Sequence, residues 1–270
     1  MLKNIRLVEI ETHSYCNRKC NWCPNEFIDR NRYEEMDTDL YAKILTNLKK
    51  YNFGGVISYS RYNEPMAYPS FFKEKVSLAR KILPTIKLVS NTNGDFLSRE
   101  NLEDLDIDEL TIMDYDCIGV KRAMKKLLDL GISIEKIKEN FIHGKFKSMN
   151  ILYYVDWPKH ANVEDRGGSL KQYSKEKREK PCYEPTHFMG IDYNANVMPC
   201  CHMRSDNPEH REYILGNLNE NSIYEIYHSE KAKKIREAAA KGKFHFLKPC
   251  EFCQKDKGRY TGENAGIDYE

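Results

Sequence analysis

Hydrophobic and polar positions follow two alternating patterns in the first half of the chain. Short apolar or β-branched runs are separated by segments in which apolar residues recur three and four positions apart, the spacing of a helix with one buried face. The runs predict strands at Ile5–Ile10, Val56–Ser60, Ile86–Ser90, Leu110–Met113 and Asn150–Val155. Strands that alternate with helices favour parallel βαβ units, so an α/β fold is expected.

Two of the intervening segments predict helices with a defined buried face. Asp37 and Thr38 form a start signal ahead of the first of them. Its apolar stripe consists of Tyr41, Ile44, Leu45 and Leu48. The stripe of the second helix consists of Val120, Ala123, Met124, Leu127 and Leu128. Both stripes are expected to pack against the sheet.

The alternation stops near residue 160, and the pattern changes. Lys171–Lys180 is rich in charge and predicts a solvated connecting segment. Gly190–Cys200 predicts a strand, an Asn-rich hairpin turn and a returning strand. Farther on, Ser222 and Glu225 form a capping box that should open a helix over Ile223–Ala239.

Composition excludes some classes of protein. With Lys plus Arg at 43 and Asp plus Glu at 41, the net charge of +2 gives no basic surface for nucleic acid. The mean hydropathy is −0.72 and no apolar run approaches the length of a membrane span, so a soluble protein is expected. The nine cysteines and the N-terminus, which lacks an apolar signal segment, favour reduced thiols and a cytoplasmic location.

Three cysteines, Cys16, Cys20 and Cys23, lie within eight residues, and the next is Cys117. Ferredoxin-type clusters take four protein thiolates, so three would leave one iron open to another ligand. A zinc site would normally pair two C-x-x-C hooks or add histidines at ribbon spacing, and His13 lies on the wrong side for that. A disulfide framework is disfavoured because nine is an odd number.

The segment from Glu11 to Pro24, ETHSYCNRKCNWCP, resembles the signature of the radical S-adenosylmethionine (SAM) superfamily. The resemblance implies a partial (β/α)6 barrel and a 4Fe–4S cluster whose open iron binds SAM. One-electron cleavage of SAM in that superfamily yields methionine and a 5′-deoxyadenosyl radical, which abstracts hydrogen from the substrate. The chain is therefore expected to be a radical SAM oxidoreductase.

A second group of cysteines lies in the last ninety residues, and Cys250 and Cys253 form a two-thiolate hook within it. Cys182 and Cys200 could complete a second four-thiolate cluster. The arrangement resembles the twitch domain, the shorter relative of the SPASM extension of radical SAM proteins, and implies an auxiliary 4Fe–4S cluster. A structural zinc knuckle remains the alternative at this point.

The resemblance also marks residues around SAM and the substrate. It implies SAM contacts by Trp22, Tyr62, Asn63, Glu64, Asn91 and Asn93. It marks Arg166, which stays protonated and so is expected to orient a hydroxyl or stabilise an alkoxide. Beside the resemblance, His202 is a candidate catalytic base, because histidine transfers protons near neutral pH, and Cys201 is a candidate catalytic thiol. The motifs occur together in a subgroup that oxidises a ring alcohol of an aminocyclitol or sugar to a ketone. Asn91 replaces a tyrosine of that subgroup, and Cys201 and His202 replace an aromatic residue and an acid, so a different substrate is expected.

The resemblance implies that the chain oxidises an alcohol of a sugar or aminocyclitol, with the auxiliary cluster as electron acceptor and a flavodoxin- or ferredoxin-like protein as electron donor. A radical epimerase is the alternative, with Cys201 or Cys117 returning a hydrogen atom. A peptide-modifying radical SAM enzyme is another, but the leader-binding domain that many of those enzymes carry is not expected here. A non-catalytic electron carrier is disfavoured, because such proteins complete the coordination of their clusters.

The expected domain organisation has three parts. Residues 1–160 should form the partial barrel and 161–181 a connecting segment. Residues 182–270 should form the twitch-like domain with a β-hairpin and a helix.

Overall fold

A computed structural model describes residues 2–30, 32–174 and 176–254. Within them, the strands are β1 (Leu7–Ile10), β2 (Val56–Ser58), β3 (Lys87–Thr92), β4 (Glu109–Met113), β5 (Ser133–Lys138), β6 (Phe141–Phe146), β7 (Met149–Tyr154), β8 (Phe188–Ile191), β9 (Asn196–Met198) and β10 (Gly216–Asn217). The helices are α1 (Thr38–Lys50), α2 (Pro69–Ile82), α3 (Arg99–Leu102), α4 (Val120–Asp129), α5 (Trp157–His160), α6 (Glu184–His187), α7 (Ile223–His228) and α8 (Glu230–Ala240).

All the described strands belong to one sheet in the order β10-β9-β8-β1-β2-β3-β4-β7-β6-β5. The six central strands, from β8 to β7, are parallel, and antiparallel strands extend both ends. The predicted α/β fold with six parallel strands is confirmed. The carboxyl ends of these strands meet at one rim, where barrels of this kind place their chemistry.

Alternate residues along the parallel strands have different surroundings. One set packs with the helices in the main hydrophobic core, which includes Val8, Ile57, Leu88, Leu110 and Ile151. The other set faces the interior of the partial barrel. Because successive strand side chains point to opposite faces, the interior set is distinct from the core set, and it includes the polar residues Glu9, Ser58 and Asn91.

The first predicted helix is confirmed as α1. Its N-cap is Asp37, whose side chain accepts a hydrogen bond from the Leu40 amide at 3.0 Å, and all four residues of the predicted stripe are buried. The second is α4, which buries Ala123 and Leu127. Leu128 was wrongly placed in the buried stripe, since it is 57% exposed. Its position is more than a quarter-turn from the face on which Leu127 packs.

Two elements differ from the prediction. The hairpin of β5 and β6 was missed, because β5 lies at the sheet edge with mostly exposed side chains and gives a weak hydrophobic signal. The single helix over Ile223–Ala239 is wrong. The capping box of Ser222 and Glu225 does open α7, but Ser229 ends that helix and caps α8 by accepting from the Ala232 amide.

The predicted hairpin within Gly190–Cys200 is confirmed as β8 and β9, and β8 also pairs with β1. The sheet is therefore continuous across residue 181, where the expected boundary of the C-terminal domain lies. The guanidinium of Arg61 crosses β8 where that strand has a glycine, and a Cβ at Gly190 would lie 1.4 Å from an Arg61 nitrogen. Only glycine leaves space for this crossing.

Most of the described residues of the charge-rich segment Lys171–Lys180 are exposed, but Arg178 contacts several neighbouring backbone groups. Arg178 donates from its guanidinium to the backbone oxygens of Cys253, Lys180 and Pro181. Its backbone amide donates to Glu251 at 2.7 Å. The segment is thus attached to the last cysteine hook. None of the described helices is long and apolar enough to cross a membrane.

Candidate active site and auxiliary metal centre

The interior of the partial barrel holds a cavity of about 590 Å³ that extends to the rim. Strand residues facing it include Glu9, Ser58, Asn91, Glu109 and Thr111. Its volume lies within the range of small-molecule and cofactor sites, about 300–1,000 Å³. Most of the residues to which the sequence assigned a site role line this cavity; the exceptions are Cys117 and four of the seven proposed cluster cysteines. Those that line it are Cys16, Cys20, Trp22, Cys23, Tyr62, Asn63, Glu64, Asn91, Asn93, Arg166, Cys201 and His202.

The first cysteine group lies in the loop that follows β1. Burial raises the pKa of Cys16 to about 11 and that of Cys20 to about 12, and a charge on Cys23 raises both further. Backbone hydrogen bonds shape the loop: the Cys16 amide donates to Arg30 and the Cys23 amide donates to Cys20. The raised pKa values of Cys16 and Cys20 mean that binding of iron as thiolates would have to displace their protons.

Polar contacts fix the first cysteine loop to its neighbours, and the sequence analysis missed them. Arg18 pairs with Asp95, after β3, and with Asp116, after β4. Asn17 accepts from the Asn93 side chain at 2.9 Å and donates to Asp95 at 2.7 Å. These contacts join the loops that follow three strands, so they set the position of the three thiols relative to the cavity.

Glu64 is 3% exposed, and its carboxylate has three partners from its own chain. Its oxygens accept from the Thr92 hydroxyl at 2.6 Å, the Asn93 amide at 2.7 Å and the Met66 amide at 3.0 Å. Burial raises its pKa to about 7, and these hydrogen bonds oppose the rise. Glu64 therefore fixes the loop after β2 to the end of β3 while one side of it faces the cavity.

Tyr62 and Asn63, which precede Glu64 in the chain, make different contacts from those of Glu64. The Asn63 side-chain oxygen accepts from the Arg61 amide, and its buried Nδ2 has no hydrogen-bond partner among the described residues. Such a donor on the cavity wall fits a polar cofactor or substrate. The Tyr62 hydroxyl donates to the Cys201 backbone oxygen at 2.8 Å, which connects the loop after β2 to the second cysteine group.

Trp22, the two asparagines after β3 and Arg166 border the same cavity. The indole of Trp22 packs against Tyr115 and Trp157, with ring centroids 5.4 and 5.8 Å away. The amide of Asn91 donates to Ser60 at 3.1 Å, and Asn93 contacts Glu64 and Asn17 as described above. A flat aromatic group beside polar side chains fits a nucleoside.

Arg166 lies in a turn with left-handed backbone, φ +50°, followed by Gly167 with φ +68°. The turn is held by His210, which the sequence analysis missed. His210 donates from Nε2 to the Gly167 oxygen at 2.8 Å, and its Nδ1 accepts from the Arg204 amide at 3.0 Å. Because Nδ1 must accept, the ring is neutral, and burial lowers the pKa of His210 accordingly.

The second cysteine group encloses a separate, small apolar cavity of about 20 Å³. Cys182, Cys200, Cys250 and Cys253 all line it. Burial raises the pKa of Cys250 well above its usual range, and the neighbouring Cys253 and Cys182 raise it further. All nine cysteines are free thiols. Cys200 and Cys253 are buried, and Cys182 and Cys250 are half-buried. Four thiols around one cavity fit a metal centre with complete protein coordination.

Cys201 and His202 lie beside the second cysteine group, and His202 lines both cavities. Both line the barrel cavity, and they follow Cys200 directly. The Cys201 thiol lies 3.5 Å from Glu184, and His202 lies between Cys253 and Glu164 and also lines the small cavity. Cys117, the other candidate hydrogen donor, is not among the described residues that line either cavity.

A buried network of charges between the two cysteine groups was also missed. Arg30 pairs with Glu11 and Asp206, and Arg204 pairs with Asp206 and donates to Asn25 at 2.7 Å. Burial opposes ionisation of Asp206, but the two arginines prevail and lower its pKa to about 2. The network fixes the segment after Cys200 to the loop of the first cysteine group.

Comparisons with known proteins agree with this division of sites. The profile of the radical SAM superfamily matches residues 10–141, and that of the SPASM iron–sulfur cluster-binding domain matches residues 182–254. The S-adenosyl-L-methionine-dependent 2-deoxy-scyllo-inosamine dehydrogenase of Niallia circulans is 26% identical over 259 residues, covering 93% of this chain and 94% of the relative.

Solved structures show the same fold. BtrN in complex with AdoMet and 2-DOIA superposes with a TM-score of 0.74 at 24% identity over 93% of each chain. An open conformation of BtrN gives a TM-score of 0.64 at 22% identity, covering 93% of this chain and 92% of BtrN. The anSMEcpe enzyme with bound AdoMet gives 0.56 at 13% identity, covering 92% of this chain and 88% of that one.

Proposed function

The chain belongs to the radical SAM superfamily and has an SPASM cluster-binding domain, and we propose that it oxidises an alcohol of a sugar or aminocyclitol to a ketone. Its cofactors are SAM and two 4Fe–4S clusters. The observation that most strongly supports this proposal is the set of residues between which the barrel cavity extends. The cavity extends from the three thiols of the first loop to Cys201 and His202, which adjoin the auxiliary ligand Cys200. A substrate in it would lie between the two centres.

The cysteine ligands follow from the same placement. Cys16, Cys20 and Cys23 would hold the first cluster, and Cys182, Cys200, Cys250 and Cys253 the auxiliary cluster. When bound, the first cluster and SAM supply a 5′-deoxyadenosyl radical that removes the carbinol hydrogen, and the auxiliary cluster supplies the acceptor for the electron left behind. The hydroxyl proton leaves to the protein or solvent, so one alcohol becomes one ketone for each SAM cleaved.

The chain's own residues would bind and orient both molecules. Trp22, Tyr62, Asn63, Glu64, Asn91 and Asn93 form the proposed SAM side of the cavity. Arg166 stays protonated, so it would orient the substrate hydroxyl or stabilise an alkoxide rather than act as a base. Glu9, Glu109 and Glu164 on the wall suit hydroxyl and amino groups of a polar substrate.

The similarity to the 2-deoxy-scyllo-inosamine dehydrogenase supports oxidation over the alternatives. The peptide-bound anSMEcpe structure is only 13% identical and supports the fold alone. An epimerase remains a second candidate for one reason: Cys201 lines the cavity, where its thiol could return a hydrogen atom to a substrate radical. Such a step would leave the substrate's oxidation state unchanged.

Three further features belong to this proposal. We propose a small polar substrate and a flavodoxin- or ferredoxin-like electron donor, because the first cluster needs one low-potential electron for each SAM it cleaves. We also propose a cytoplasmic enzyme, which the nine free thiols support. The nearly balanced charge supports neither nucleic acid nor a membrane as partner.

The decisive experiment screens sugars and aminocyclitols with reconstituted enzyme, reductant and SAM under anaerobic conditions. A substrate is expected to raise 5′-deoxyadenosine formation and to yield one ketone per 5′-deoxyadenosine. The matched control is the Cys16→Ala enzyme, which should form neither product. A substrate that is consumed to a stereoisomer, with no ketone, would refute the proposed oxidation.

A further inference from the structure

The side chain of His202 lies between the two cavities and contacts a group on each side. It is 5% exposed. Its Nδ1 lies 3.6 Å from the Cys253 sulfur, and its Nε2 lies 3.2 Å from a carboxylate oxygen of Glu164. Glu164 lines the barrel cavity, and Cys253 lines the auxiliary cavity. One imidazole therefore joins the wall of the substrate site to a proposed ligand of the auxiliary cluster.

The direction of the hydrogen bond to Cys253 follows from the chemistry of a ligand sulfur. A thiolate bound to iron has no proton to donate, so Nδ1 of His202 must be the donor. The backbone amide of His202 also points to a sulfur, that of Cys200, at 3.4 Å. His202 thus offers two N–H groups to two proposed ligands of one cluster.

Hydrogen bonds to the sulfurs of an iron–sulfur cluster raise its reduction potential, because they stabilise the extra negative charge of the reduced state. The backbone donor would be present with any residue except proline at this position. The imidazole donor depends on the side chain, and the contact with Glu164 holds the ring with Nδ1 toward Cys253.

We propose that His202 is a positioning residue that raises the reduction potential of the auxiliary cluster through its Nδ1–H···S hydrogen bond to Cys253, with Glu164 fixing the ring. The proposal rests on the auxiliary cluster of the proposed function and is independent of the identity of the substrate. It also gives His202 a different task from that of a general base, because both ring nitrogens already have partners.

The test compares three substitutions that separate the two ring nitrogens. The amide nitrogen of His202→Asn can occupy the position of Nδ1, that of His202→Gln the position of Nε2, and His202→Phe provides neither. Each is made in a full-length protein whose Cys16, Cys20 and Cys23 are alanine, so that only the auxiliary cluster is present. His245→Phe is the matched control, because His245 is an exposed histidine in the same cluster-binding domain.

The readout is the fraction of reduced cluster, followed by electron paramagnetic resonance during an anaerobic redox titration. At a fixed potential, the reduced-to-oxidised ratio is expected to fall about tenfold in His202→Gln and His202→Phe, a shift of about 59 mV for a one-electron couple. His202→Asn and His245→Phe should stay close to the parent protein.

Equal potentials in all proteins would overturn the proposal. So would loss of auxiliary iron in all three His202 variants, since that would make His202 a metal ligand instead. A parent protein that assembles no auxiliary cluster would refute this inference together with the proposed electron acceptor. By contrast, failure to find a ketone product would refute the proposed function and leave the measured potentials standing.

Discussion

The two cysteine groups differ in what surrounds them. The first has three thiols on the rim of a polar cavity of about 590 Å³, whereas the second has four thiols around an apolar cavity of about 20 Å³. Three protein ligands leave a coordination position for a small molecule, and four leave none. The comparison teaches that the open site suits the proposed binding and cleavage of SAM, and that the closed site suits the proposed acceptance of an electron.

Both groups share one electrostatic property. Burial raises the thiol pKa of Cys16, Cys20 and Cys250. The free thiols are therefore protonated near neutral pH, and binding of iron must release those protons. The two sites differ in the number of proposed ligands and in the cavity beside them.

The largest effect is expected from removing the open site. Replacing Cys16, Cys20 and Cys23 with alanine should abolish reductive cleavage of SAM, because the cluster that these three thiols are proposed to hold is the one with a coordination position open to SAM. Iron should fall from about eight to about four atoms per chain. Chromatographic assay of 5′-deoxyadenosine and iron analysis after anaerobic reconstitution check both outcomes. Residual SAM cleavage in this variant would show that the second cysteine group also has a coordination position open to SAM.

Removing the closed site should have the next largest effect on activity, and it should affect formation of the oxidised product rather than cleavage of SAM. The Cys250→Ala and Cys253→Ala double variant should also keep about four iron atoms and should still cleave SAM, but it should lose the oxidised product. Product and 5′-deoxyadenosine are measured together, and circular dichroism verifies that the region remains folded, since cluster loss can unfold a domain. Undiminished oxidation without the second cluster would contradict its role as electron acceptor.

The surroundings of the first cysteine loop should make stability depend on pH through His13. This residue is buried among Tyr33, Tyr68 and Phe71, and burial lowers its pKa to about 4. Because the unfolded chain takes up the proton near pH 6.5 and the folded chain near 4, stability is full above 6.5 and falls as the pH drops toward 4.

His13→Phe should remove this contribution, which amounts to about 1.4 kcal/mol between pH 7.5 and 5.5. Anaerobic urea unfolding of both proteins at the two pH values measures it. His210 has a lowered pKa as well and should leave the variant with some pH dependence of the same sign. An identical pH dependence in the two proteins would show that His13 does not stay neutral in the folded state.

The smallest effect is expected at Cys201. If its thiol only lines the cavity beside a ligand, Cys201→Ala should keep most of the turnover and still give a ketone, with one 5′-deoxyadenosine per product. If the thiol returns hydrogen, the wild-type product formed in D₂O would be a stereoisomer with one carbon-bound deuterium, because a thiol hydrogen exchanges with solvent. Mass spectrometry of the product from both proteins separates the two outcomes.

The sequence allowed much of the fold to be predicted, because local signals were strong there. The apolar runs gave the five strands β1, β2, β3, β4 and β7 within two residues of their ends. The Asp37 cap and the Ser222 capping box gave two helix starts. Spacing alone placed Cys16, Cys20 and Cys23 in one loop, and the resemblance added residues that line the same cavity.

What could not be predicted depends on contacts between distant segments. Arg30 and Asp206 read as ordinary surface charges until the fold buries them against each other. His202 has one neighbour 38 residues before it and another 51 residues after it, and no local pattern brings Glu164 and Cys253 to the same imidazole. The break between α7 and α8 at Ser229 was missed because a serine is tolerated within a helix as well as at its cap.

The pairing of β8 with β1 has a consequence for how such an enzyme can change over generations. The strand that leads to Cys200 completes the sheet that also carries the first cysteine loop. A chain that lost residues 182–254 would lose β8, β9 and β10 together with the auxiliary region, and one edge of β1 would be left unpaired. A different cluster-binding domain could therefore take the place of this one only if it brought a strand that pairs with β1.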